Sequence, residues 1–196
     1  RDRIMYPIRD SRGRCIAFGG RAMSKNARAK YLNSPETKLF DKGRSLYNFS
    51  TARSALNTHS SLIVAEGYMD VIALSQANFK ASVAPLGTAI TKDQLALIWR
   101  ISPNPVIALD GDRAGINAAY RLIDVALPLI ETGKSIKFVL MPEGYDPDDL
   151  IKERGSDAIQ NLIDQAISLG DLLWRIETEV LSFYNPEARA ALDKKL

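Results

Sequence analysis

The chain has 196 residues, 46% of them hydrophobic and 25% charged, a length that buries a real core and a balance that excludes an intrinsically disordered tail. No apolar run approaches the roughly 20 residues of a membrane-spanning helix, and a single cysteine, Cys15, with a single histidine, His59, excludes an internal disulfide and any Cys/His zinc site built by this chain alone. The net charge of +3 conceals an asymmetry: residues 1–57 hold 13 Lys/Arg against 4 Asp/Glu, residues 58–196 hold 13 against 19, and the two parts carry +9 and −6.

Residues 1–6 contain neither a signal-peptide hydrophobic region nor a starting Met, so the chain reads as a piece of a longer polypeptide. Residues 3–9 and 14–21 alternate partially around the turn-forming Asp10-Ser11-Arg12-Gly13, which predicts a hairpin. Residues 23–58 are irregular and rich in Asn, Ser, Lys and Arg, with Tyr31, Phe40, Tyr47 and Phe49 interleaved; they read as loops with short elements. After His59, itself expected in an exposed loop, short apolar runs alternate with helical-period segments. The pattern predicts strands at 62–65, 81–84, 106–109 and 136–141, with helices at 69–77, from Thr91 onward and at 114–130. Thr91 and Gln94 match a capping box. From Pro147 onward three helices are expected, at 148–154, 156–168 and 171–183. Repeated strand-helix units with continuous apolar strands imply an α/β class, with a mostly parallel Rossmann-like sheet covered by helices on both faces. Trp99, Trp174 and Cys15 are expected to be buried.

In open parallel sheets functional groups gather past the carboxyl ends of the strands, and acids stand at three such places. Glu66 closes the first strand, with Asp70 following it; Asp110 and Asp112 close the third; Asp146, Asp148 and Asp149 follow the fourth. Carboxylates converging on one crevice repel each other unless a cation neutralises them, and a hard divalent ion such as Mg²⁺ prefers oxygen ligands of this kind. A basic segment joined to an acidic one suits an enzyme that handles polyanions with a metal, because cations hold phosphates while carboxylates hold the ion. Glycines beside the acids, in Glu66-Gly67, Asp110-Gly111-Asp112 and Ala114-Gly115, leave room for sharp turns.

Two of these segments, Val64-Ala65-Glu66-Gly67-Tyr68-Met69-Asp70-Val71 and Leu109-Asp110-Gly111-Asp112-Arg113-Ala114-Gly115, resemble the signatures of the Toprim fold. That fold is shared by bacterial primases, type IA and type II topoisomerases, and some nucleases and recombination proteins. The basic segment narrows the choice: Phe18-Gly19-Gly20-Arg21, residues 30–37 (KYLNSPET) and Phe40-Asp41-Lys42-Gly43-Arg44 resemble stretches of DnaG-type bacterial primases. Glu143-Gly144-Tyr145-Asp146-Pro147-Asp148 is similar to their third acidic motif, and the likeness thins beyond Arg154.

The resemblance implies metal-dependent synthesis of short RNA primers on a single-stranded DNA template, from ribonucleoside triphosphates, at the replication fork in the cytoplasm. It implies Mg²⁺ or Mn²⁺ as cofactor, with zinc confined to a separate domain and the replicative helicase engaged through another. The expected division is a basic subdomain over 1–58, the Toprim domain over 59–147 and the start of a helical subdomain over 148–196. Glu66, Asp110 and Asp112 are the implied principal metal ligands, with Asp70, Asp146 and Asp148 as partners. Arg21, Lys30, Tyr31, Asn33, Lys42, Arg44 and Arg113 are the implied contacts to nucleotide or template. Two other readings stay open: a Toprim nuclease or topoisomerase using the same acids, and a module that only binds single-stranded DNA and nucleotides.

Overall fold

The computed structural model describes residues 2–179 except 25, 59 and 88, with the backbone alone at 176–179. Two sheets make up the frame. The first is antiparallel and built from β1 (Arg3–Arg9), β2 (Cys15–Ala22) and β3 (Tyr31–Asn33), in that order. Asp10 closes the expected hairpin by accepting from the amides of Arg12 and Arg14, both at 2.9 Å. The third strand lies inside the segment read as irregular, where three residues carry no period; only pairing with β2, Gly19 opposite Asn33 and Arg21 opposite Tyr31, makes it a strand. The same segment also holds a helix, α1 (Phe49–Ala55).

The second sheet contains β4 (Ile63–Val64), β5 (Ser82–Val83), β6 (Val106–Leu109), β7 (Lys137–Leu140) and β8 (Ile167–Ser168), in the order β5-β4-β6-β7-β8. The first four are mutually parallel, and β8 pairs antiparallel with β7 at the edge. Every residue of β4 and β6 is buried, as continuous apolar strands between two helical layers require. On one face Val64, Ile107, Leu109 and Phe138 pack beneath α1, α3 (Lys92–Ile101), α4 (Arg113–Ala126) and α7 (Leu169–Glu179). On the other Ile63, Ala65, Ala108 and Val139 pack beneath α2 (Tyr68–Gln76), α5 (Pro147–Arg154) and α6 (Ser156–Asp164).

Several boundaries differ from expectation. The α4 helix stops at Ala126 and gives way to a 3₁₀ turn over Leu127–Leu129, where Pro128 lacks the amide that a continuing helix needs. The helix expected over 156–168 ends at Asp164, because Ile167 and Ser168 leave it to pair with Phe138 and Lys137. Residues 180–183 of the last expected helix, and His59, lie outside the described residues. Of the three residues expected to be buried, Trp99 is 8% exposed and donates from Nε1 to the Ser135 carbonyl at 3.0 Å. Trp174 is 51% exposed and Cys15 is exposed, since each falls on the outward side of its element. Among the described residues no helix is long and apolar enough to cross a membrane.

Candidate metal and nucleic-acid site

From β4 the chain crosses to β5 on one side and then returns past β4 to β6 on the other. The sheet order therefore reverses between β4 and β6, the place where a parallel sheet opens a crevice at its carboxyl edge. Glu66 follows β4 and Asp110 follows β6, on the two sides of that opening, and Glu66 Oε1 accepts from the Asp110 amide at 3.1 Å. Asp70, in the first turn of α2, is 8% exposed and accepts at Oδ2 from the Gly67 amide at 3.1 Å. Asp112 caps α4 by accepting from the Gly115 amide at 2.8 Å, and Asp146 caps α5 by accepting from the Asp149 amide at 2.7 Å. Asp148 is paired with Lys152 at 2.6 Å.

Backbone contacts draw the last two loops together. The Gly111 amide donates to the Tyr145 carbonyl at 3.0 Å, and the Gly144 amide donates to the Gly111 carbonyl at 3.2 Å. A Cβ at Gly111 would overlap the Pro142 carbonyl, and one at Gly115 would overlap the Asp110 carbonyl. Both glycines are thus set by close approach of backbone, and neither has the positive φ that favours glycine elsewhere.

The acids sense one another across all three loops. Burial, then the charges of Asp146 and Asp110, pushes Asp70 up to about 7. Burial, then Glu66, Asp146 and Asp112, pushes Asp110 up to about 7 as well. Asp110 Oδ1 is also buried, with no hydrogen-bond partner among the described residues. A buried acceptor left unpaired among like charges is costly, and a hard cation relieves both defects at once. No three His, Cys, Asp or Glu side chains among the described residues already close around a common point as a metal cage would. Such a spread-out set suits an ion held by one or two carboxylates, with water and substrate phosphate completing its shell.

The three-stranded sheet faces this crevice through tyrosines. Tyr68, the first residue of α2, packs against Tyr6, Tyr31 and Tyr47 at ring distances of 5.1, 5.4 and 5.5 Å, and burial pushes its phenol up to about 12. Arg21 is the cross-strand neighbour of Tyr31, whose phenol raises the guanidinium above its ordinary value; it also senses Asp148, and its Nε is buried with no hydrogen-bond partner among the described residues. Lys30 Nζ stands 5.6 Å over the Tyr31 ring. Asn33 is turned inward: its amide donates to the Leu86 carbonyl at 2.9 Å and its Oδ1 is buried. Lys42 and Arg44 lie in a 3₁₀ turn held against the start of α3. There the fully buried Gln94 donates to the Lys42 and Ser45 carbonyls at 2.8 and 2.9 Å, while Arg44 pairs with Asp93 at 3.1 Å. Arg113 is exposed on the first turn of α4. Arg21, Lys30 and Tyr31 therefore gather beside the Tyr68 cluster, whereas Lys42 and Arg44 sit beside α3. Sequence reasoning passed over Tyr68 and the clamping role of Gln94; the only signals were a tyrosine set between Glu66 and Asp70, and a capping-box glutamine that did not have to be buried.

Residues 1–53 match the family described as the N-terminal domain of the DNA primase catalytic core, and residues 60–140 match the Toprim domain family. The DNA primase of Rickettsia felis is 44% identical over 195 residues, covering 100% of this chain and 33% of that protein. The chain belongs to the DnaG-type bacterial DNA primase family. A DNA primase domain from Pseudomonas aeruginosa superposes with a TM-score of 0.92 at 42% identity, over 98% of this chain and 60% of that one. A DnaG primase catalytic domain bound to single-stranded DNA gives 0.90 at 42% identity, over 99% and 62%. The chain spans about a third of the length of the curated DnaG relatives it matches.

Proposed function

We propose that this chain supplies the metal-binding catalytic core of a primase that makes short RNA primers on single-stranded DNA. The observation that carries the reading is the buried Oδ1 of Asp110, unpartnered among the described residues, at the opening between β4 and β6, among acids from three loops. Glu66, Asp110 and Asp112 would hold Mg²⁺ or Mn²⁺, with Asp70, Asp146 and Asp148 extending the negative field. A bound divalent ion supplies activation of the primer 3′-hydroxyl and neutralisation of triphosphate charge.

The chain's own residues do the rest. Arg21 and Lys30, with Lys42, Arg44 and Arg113 further out, hold phosphates of the incoming ribonucleotide or the template, the guanidinium by a fork and the ammonium as a point charge. Tyr31, 40% exposed and edge-on to Tyr68, offers a face on which a base can stack. Asn33 serves by fastening β3 to the Leu86 backbone. On this reading 1–58 belong to the basic subdomain, 59–147 to the Toprim domain and 148–196 to a helical subdomain. Engagement of the replicative helicase and zinc binding would fall to other parts of the polypeptide, which would act at the replication fork in the cytoplasm. The likeness to a DnaG catalytic domain solved with single-stranded DNA supports the template partner.

Primer synthesis from ribonucleotides on single-stranded DNA, measured on the full-length polypeptide with and without divalent metal, tests this. Glu66→Gln and Asp110→Asn are expected to lower synthesis by at least about a hundredfold without lowering the melting temperature. Near-normal synthesis by both variants would remove these acids from the mechanism.

A further inference from the structure

We propose that Tyr68 is a positioning residue for primer synthesis, its ring fixing where the cations of the antiparallel sheet stand relative to Glu66 and Asp70. The inference rests on the primase reading above. Tyr68 lies two residues after Glu66 and two before Asp70, so displacing it displaces both acids. Its ring is 6% exposed and meets a tyrosine from β1, a tyrosine from β3 and Tyr47, which precedes α1. The β2 strand lies flat on the same ring: a Cβ at Gly19 would come 3.2 Å from the Tyr68 ring and 3.1 Å from Asn33 Oδ1.

Every strand of the basic sheet thus rests on one side chain of the acidic domain. Tyr31 neighbours both cations, Arg21 across from it on β2 and Lys30 over its ring. The physical path from phosphate-holding cations to metal-holding acids therefore runs through Tyr31 and Tyr68 into the first turn of α2. The Tyr68 hydroxyl is buried and has no hydrogen-bond partner among the described residues, so the ring, rather than the hydroxyl, does the holding. Phenylalanine keeps every ring contact and removes an unsatisfied polar group. Leucine fills the space but loses the flat faces on which three rings and β2 are set.

A displacement of about 1 Å between groups that must act together costs up to a hundredfold in rate. The test is steady-state primer synthesis by the full-length polypeptide, carrying Tyr68→Phe, Tyr68→Leu or Tyr6→Leu, well below each melting temperature. Tyr68→Leu is expected to lower kcat about thirtyfold, with KM for ribonucleotide and Kd for a single-stranded oligonucleotide within about threefold of wild type, because the cations remain present but misplaced. Tyr68→Phe restores kcat to within about twofold. Loss of activity only in proportion to the unfolded fraction, or equal damage from Phe and Leu, overturns the proposal. Where Tyr68→Leu does not fold, Tyr6→Leu decides: a kcat lowered about fivefold at unchanged KM supports it, and a wild-type kcat overturns it. Wild-type protein that makes no primer removes the primase reading and this inference together.

Discussion

Replacing Asp70 with Asn makes the metal-free protein more stable at pH 8, and progressively less so as the pH falls through 5 toward 4. Asp70 is nearly fully buried and its carboxyl is pushed from 3.8 up to about 7 by burial and by Asp146 and Asp110. The folded chain therefore binds this proton more tightly than the unfolded chain does. The stability so gained is complete below about pH 4 and disappears as the pH rises through about 7. At about 1.4 kcal/mol for each tenfold change in proton affinity, the ionised carboxylate carries a penalty of about 4 kcal/mol. Because Asp110 is raised alongside it, an amide that keeps the Gly67 contact recovers about 2–3 kcal/mol of this. For a chain of this size that is a rise of about 5–10 °C in melting temperature at pH 8. Thermal melts of wild type and Asp70→Asn from pH 5 to 8, in chelator, measure it. Curves that stay parallel across the range would show that Asp70 is not held against its charge. Millimolar Mg²⁺ at pH 8 should raise the wild type more than the variant, since an ion that binds only the folded state stabilises it by mass action.

Other expectations follow from single contacts. Gly111→Ala drives a methyl group into the Pro142 carbonyl and is expected to cost about 3 kcal/mol. Gly133→Ala, with φ of 85° and nothing near its Cβ, should cost only about 1 kcal/mol; denaturant titration separates the two. Gln94→Ala leaves the Lys42 and Ser45 carbonyls without their partner and should cost about 2–4 kcal/mol, read in the same titration. Lys30→Ala with Lys42→Ala should weaken single-stranded DNA binding and reduce the slope of log affinity against log salt by about 1.4, two phosphate contacts at about 0.7 each. An unchanged slope in anisotropy titrations would take these lysines off the phosphates.

The parallel sheet was readable because burial on both faces leaves runs such as Val106-Ile107-Ala108-Leu109 with no polar interruption, and the acids directly after those runs marked the crevice. Local pattern failed where tertiary pairing decides. Tyr31-Leu32-Asn33 is a strand only because β2 lies beside it, and Ile167-Ser168 left a helix to cover the edge of β7. Asn33 could be assigned to a ligand from its motif, but its turn toward Leu86 depends on a loop more than fifty residues away. The tyrosine cluster was equally hidden, since Tyr6, Tyr31 and Tyr68 lie on three elements, Tyr47 precedes a fourth, and nothing in their spacing brings them to one point. What the sequence carried was which residues bear charge at the ends of strands. How the basic sheet is seated on the acidic domain is a matter of packing.

The two main-chain bonds between Gly111 and the 144–145 segment form a clasp, and a clasp fixes the number of residues that each connection can contain. One residue more or fewer on either side would slide one acid past the other by roughly a full residue length, about 3.5 Å, more than the coordination sphere of a small cation tolerates. At the opposite end of the sheet, the turn around Gly133 meets no such constraint. The molecule is therefore calibrated at one rim and permissive at the other, and the freedom to vary in length across its kin should be found at the second.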